Sequence, residues 1–147
     1  MQERKRIVIT SGFFNPLHIG HINLFKEAKA LGDFLVVIVN NDDQVKIKRS
    51  TPFMKQEERI GIIQELKHAD EVFLSIDKDG TVAKSLEFIA QKYPGEIFFA
   101  KGGDRNFDNI PESEKSVCQN FNIKVVNGVG GDKVQSSSWL LSSKKAV

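Results

Sequence analysis

Short apolar runs of strand length alternate along this chain with stretches whose apolar residues recur at helical spacing. That alternation narrows the possible folds to a parallel sheet covered by helices on both faces. The strand-like runs are Arg6–Thr10, Phe34–Val39, Glu71–Leu74, Ile97–Ala100 and Lys124–Val126. Between the first two, Ile22, Leu24, Phe25, Ala28 and Leu31 recur at helical spacing, and Gly32 supplies a stop. Further helices are predicted over about Lys55–His68, with Ile60, Ile63 and Leu66 inward, and over about Val82–Tyr93, ended by Pro94-Gly95. A fourth starts near Pro111, with Glu112 and Glu114 in its first turn, where the helix dipole favours acids. A fifth opens at Ser136-Ser137-Ser138, a good capping signal. With 147 residues and no linker, repeat or low-complexity tract, the chain reads as one doubly wound, Rossmann-like α/β domain, residues 1–147, built on a five-stranded parallel sheet.

Charge and cysteine content exclude several classes of function. Lys and Arg number 21 against 19 Asp and Glu, a net charge of +2 that is too balanced for binding duplex nucleic acid by charge alone. The single Cys118 permits no internal disulfide and no cysteine-cluster metal site; it falls at an apolar position of the fourth helix and reads as a small core residue. No apolar run approaches the ~18 residues of a membrane span, and the charged start Gln2–Arg6 leads into a strand-like run, not a signal-peptide core. The expectation is a soluble domain of a reducing compartment, the cytoplasm, with no membrane insertion and no nucleic acid partner.

Gly-, Asn- and Asp-rich stretches, Ser11–Leu17, Asn40–Pro52, Lys101–Ile110 and Asn127–Gln135, follow strands one, two, four and five. Ligands of open parallel sheets sit beyond the carboxyl ends of the strands, so these loops should converge on one site. The first runs on through His18-Ile19-Gly20-His21 into the first helix. Two histidines three residues apart at a helix start share a face, and Gly20 between them allows close approach to the backbone. Free amide N–H groups and the positive dipole end suit the same place to a phosphate. Capping or packing is the competing role for the pair.

Basic residues recur around the same end. Lys46, Lys48 and Arg49 lie on a loop after Asp42 and Asp43, where flexible ammonium groups could close over a triphosphate. The fork of Arg59 could hold an anionic substrate or pair with surface acids such as Glu58. In Lys101-Gly102-Gly103-Asp104 two glycines permit a base or ribose to lie against the backbone. The serine run Ser136-Ser137-Ser138 would offer a second anion seat.

Taken in order, these segments resemble the HxGH nucleotidyltransferase superfamily, and in particular its small cytidylyltransferase branch, related to the enzymes that activate glycerol 3-phosphate. The resemblance spans the chain and implies attack by a substrate phosphate on the α-phosphorus of a nucleoside triphosphate, with pyrophosphate leaving. It implies catalytic roles for His18, His21 and Lys46, with Lys46 or Lys48 as the matching lysine, and an anion-binding role for Arg59. Gly12, Phe13, Phe14, Gly20, Lys48, Lys101, Gly103, Asp104, Ser136, Ser137 and Ser138 would bind the nucleotide. Mg2+ would arrive on the triphosphate, with no dedicated protein metal site, and the resemblance implies a homodimer.

Gly12-Phe13-Phe14-Asn15 stands where the cytidylyltransferases usually read Gly-Thr-Phe-Asp. Phe14-Asn15-Pro16 is similar instead to adenylyltransferases of the nicotinate mononucleotide type. The usual basic residue after the serines is also missing, since Trp139, Leu140 and Leu141 occupy that turn. The donor is therefore CTP, favoured by the branch, or ATP, and the acceptor a small phosphorylated alcohol or sugar phosphate. Coenzyme-forming adenylyl transfer to nicotinate mononucleotide, phosphopantetheine or FMN is the alternative, as is a nucleotide-binding regulatory module without turnover.

Overall fold

The structure is a computed structural model and describes residues 5–48, 50–102 and 107–130. Five parallel strands, β1 (Arg6–Gly12), β2 (Phe34–Val39), β3 (Glu71–Leu74), β4 (Glu96–Gly102) and β5 (Ile123–Val129), lie in the order β3-β2-β1-β4-β5. Helices α1 (Ile19–Ala30) and α3 (Gln56–Gln64) cover one face, and α4 (Ala83–Lys92) and α5 (Glu112–Asn120) the other. The alternation of side chains along β1 divides the core accordingly. Val8 packs with Phe25, Ala28 and Ile63 from α1 and α3, whereas Ile7 and Ile9 pack with Leu86, Ile89 and Val117 from α4 and α5. Residues Leu35–Val39 of β2 are buried on both faces, which is why that run is continuously apolar. The chain winds outward from β1 in one direction and returns from β4 in the other, so a crevice opens beyond the carboxyl ends of these two strands.

The fold class and sheet match the sequence expectation, with differences in the helices. The stretch Asn40–Pro52, expected to be a loop, contains a helix, α2 (Asp42–Ile47). Its N-cap Asn41 accepts from Gln44 N–H while the Gln44 side chain accepts from Asn41 N–H, a reciprocal cap that starts a helix too short to persist alone. Asp42 and Gln56 exchange main-chain to side-chain bonds, tying the start of α2 to that of α3. The helix predicted to reach His68 ends at Gln64. Ile22, placed inward by its spacing, is 41% exposed, while Phe25 and Ala28 carry the packing of α1. The helix expected from Ser136 lies outside the described residues.

Arg59 is corrected most. Its side chain is fully buried instead of facing an anion in the crevice. Nε donates to Met54 O, Nη1 to Phe13 O and Asn40 O at 2.7 and 2.6 Å, and Nη2 to Asp42 Oδ1 at 2.7 Å. The guanidinium thus joins the segments leaving β1 and β2, the start of α2 and the chain before α3, and its fork is consumed by the protein. Removing the cation would strand buried carbonyls and the Asp42 carboxylate. Arg59→Met is therefore expected to lower unfolding free energy by about 3 kcal/mol or more in denaturant titration; a loss below ~1 kcal/mol would show that the clamp is not needed.

Candidate active site

A cavity of about 340 Å³ opens beyond β1 and β4, at the place the strand order sets for ligands. Ser11, Gly12, Phe13, Phe14 and His21 line it from the β1–α1 segment, and Ala100, Lys101 and Gly102 from the end of β4. Asn40 and Lys48 bound it beside α2, and Gly80, Val82, Pro111 and Glu114 bound it from the starts of α4 and α5.

The first helix starts on histidines. His18 is the N-cap, extended at φ −150°, and its Nδ1 accepts from Gly20 N–H at 3.1 Å. His21, three residues on, returns the bond: its Nδ1 accepts from His18 N–H at 3.2 Å. The imidazoles stack with centroids 3.8 Å apart. Capping, posed as the competitor to chemistry, is thus present, and it constrains the chemistry. With Nδ1 of each ring occupied as an acceptor, the proton of a neutral ring resides on Nε2. The Gly20 amide, expected to be free for phosphate, is taken by His18.

Phe14 holds this arrangement from below. It adopts φ 52°, its ring is 2% exposed, and it meets His21 edge-on at 4.9 Å and Phe25 at 5.3 Å. A side chain on Gly12 would come within 2.8 Å of that ring, so glycine is what allows the phenyl group to sit under the histidine. Asn15, 4% exposed, donates to Thr51 O and accepts from Met54 N–H, fastening the loop to the chain ahead of α3. Burial first, and the neighbouring His18 second, push the His21 pKa down to about 3. At neutral pH the ring is uncharged and offers an Nε2–H donor.

The other expected site residues divide three ways. Gly12, Phe13, Lys48 and Lys101 line the cavity with His21, and the Lys48 ammonium lies 4.5 Å from the centre of the Phe13 ring. Lys46 is exposed on α2 and is not among the cavity-lining residues, and Arg59 is internal. Arg49, Gly103, Asp104, Ser136, Ser137 and Ser138 lie outside the described residues. Sequence reasoning did not assign Asn40, Gly80, Val82 or Glu114 to the site. Asn40 carries a signal, a polar residue directly after a buried strand. Glu114, 4% exposed, reads in sequence as a dipole partner of α5, yet its Oε2 accepts from Val82 N–H across the cavity wall. Among the described residues no group of three or more His, Cys, Asp or Glu could hold a metal ion, and no helix is long and apolar enough to cross a membrane.

Comparison with known proteins agrees with this geometry. A family model described as cytidylyltransferase-like matches residues 9–141. The FAD synthase of Thermococcus sibiricus is 38% identical over 128 residues, 86% of this chain and 82% of that protein. The FAD synthase of Thermococcus onnurineus is 45% identical over 127 residues, covering 85% of this chain and 81% of its own. Among solved structures, the lipopolysaccharide core biosynthesis protein of Thermoplasma volcanium superposes with a TM-score of 0.67 at 27% identity, over 84% of this chain and 95% of the other.

The lowered His21 pKa has a measurable sign. An unfolded histidine takes its proton near pH 6.5 and the folded one only near 3, so His21 favours the folded state above 6.5 and opposes it increasingly as pH falls from 6.5 towards 3. In the free protein its ring carbons, followed by NMR, are expected to show the neutral form down to pH 5; a midpoint above 6 would contradict the burial argument.

Proposed function

This chain belongs to the cytidylyltransferase-like family, within the HxGH nucleotidyltransferase superfamily, and it is a nucleotidyltransferase; we propose that it transfers AMP from ATP to the phosphate of FMN. The observation that supports the transfer chemistry is the reciprocal histidine cap, which fixes the uncharged His21 ring in the wall of the cavity beyond β1. The names of its relatives supply the nucleotide and acceptor, because joining FMN to AMP is what makes FAD. They give no support to CMP transfer, which the branch resemblance favoured.

In this reading a terminal phosphate oxygen of FMN attacks the α-phosphorus of ATP. A new P–O–P linkage forms, the bond to the β-phosphate oxygen breaks, and that oxygen leaves with the electron pair as pyrophosphate. No protein nucleophile is needed, so the work is alignment and charge stabilisation. His21, with His18 stacked on it, donates Nε2–H to the α-phosphate oxygens as charge grows there. Lys48 leaves the Phe13 ring for the phosphates, and Lys46 extends the basic edge of α2. Mg2+ held by triphosphate oxygens and water supplies further charge neutralisation.

Wild-type protein is expected to release pyrophosphate and form FAD from ATP and FMN with Mg2+, and to form no CMP adduct of glycerol 3-phosphate from CTP. His18→Ala and His21→Ala should each reduce turnover at least ~10²-fold with the circular dichroism spectrum unchanged. Product formation from CTP alone would overturn the nucleotide and acceptor assignment, and variants within about threefold of wild type would overturn the histidine role.

A further inference from the structure

Gln44, half of the reciprocal cap that starts α2, also sits at the centre of a buried polar connection that reaches beyond that helix. Its side chain is fully buried, yet it is amide, and every hydrogen-bonding position of that amide is filled. Oε1 accepts from Asn40 Nδ2 at 3.1 Å and from Asn41 N–H at 3.0 Å. Nε2 donates to Asp79 O at 2.7 Å and to Thr81 O at 2.8 Å. Its main-chain carbonyl accepts from Lys48 N–H at 3.1 Å. Asn40, Lys48 and Gly80, which lies between the two carbonyls that Gln44 holds, all bound the cavity.

Anchoring α2 does not by itself require an amide. Val45, the next residue, is 1% exposed and packs α2 by apolar contact, and Asn41 Nδ2 separately ties the helix start to Ser75 O and Asp77 O. What the amide adds is a fixed distance between two neighbouring segments: its bonds hold only when the helix carrying Lys48 and the 79–81 segment stand one side-chain length apart. A methionine would fill the same volume and leave that distance unset.

We propose that Gln44 is a positioning residue that fixes the lysine-bearing α2 against the 79–81 segment at the edge of the cavity, and thereby sets where Lys48 meets the phosphates. This rests on the nucleotidyl-transfer reading of the same site. Gln44 touches no substrate; it acts through Lys48.

The test is a double-mutant cycle on the full chain, with pyrophosphate release as readout and circular dichroism and thermal melting as checks of folding. Gln44→Met is expected to lower kcat/KM about 10- to 100-fold, the scale of losses from a small misplacement. Because both changes disable the same lysine, Gln44→Met with Lys48→Ala should be no worse than Lys48→Ala alone within about threefold. Purely additive losses, or Gln44→Met within threefold of wild type, would overturn the proposal. Should Gln44→Met fail to fold, Gln44→Glu provides a second route. A carboxylate can donate to neither Asp79 O nor Thr81 O, whereas its acid form can donate to one of them, so the activity of Gln44→Glu relative to wild type should rise as pH is lowered. A ratio independent of pH would overturn the proposal equally. A wild-type chain that releases no pyrophosphate with any triphosphate would sink the functional reading, and this inference with it, whereas the variant ratios judge the inference alone.

Discussion

One buried guanidinium holds together the end of the sheet where the cavity opens. The segments leaving β1 and β2 and the chain ahead of α3 carry carbonyls that no strand or helix partner satisfies, and once buried they need donors that water cannot supply. Arg59 supplies such donors to Phe13 O, Asn40 O and Met54 O, and Asp42 meets its charge. The segments so tied are those that carry the histidines and the lysines. The cation therefore acts before any substrate arrives, by fixing where the loops stand.

Upon that frame the histidine pair unites two functions that are usually separate. A helix start needs acceptors for its first amides, and serine or aspartate usually provides them. Here imidazoles do so through Nδ1, which places the proton of the neutral His21 ring on Nε2. Burial keeps His21 uncharged, with Phe14 packed against it. Structure and chemistry thus depend on the same bonds: substituting either histidine removes both a cap and a phosphate donor.

The sheet was legible in the sequence because burial on both faces writes a continuous apolar run. Phe34–Val39 and Glu71–Leu74 coincide with their strands, and the other three differ only at their ends. The histidine pair was legible too, since spacing alone places His18 and His21 on one face. What escaped depends on contacts distant in sequence. Asp42–Ile47 has no apolar periodicity long enough to announce a helix; Asn41, Gln44 and Gln56 start it through side-chain bonds. Arg59 follows Glu57 and Glu58 and reads as an anion holder or a partner of surface acids, but it faces inward, where it meets the carbonyls of Phe13 and Asn40. Nothing local in Gln44 distinguishes a buried amide from an exposed one.

The central claim is that the two Nε2–H groups bind the α-phosphate. The direct measurement is 15N–1H NMR of the histidine side chains as α,β-methylene-ATP and Mg2+ are added to saturation. The account expects the Nε2–H signals of His18 and His21 to appear or shift strongly, as hydrogen bonds to phosphate slow their exchange with water. Saturable binding of the nucleotide with both signals unmoved would contradict it.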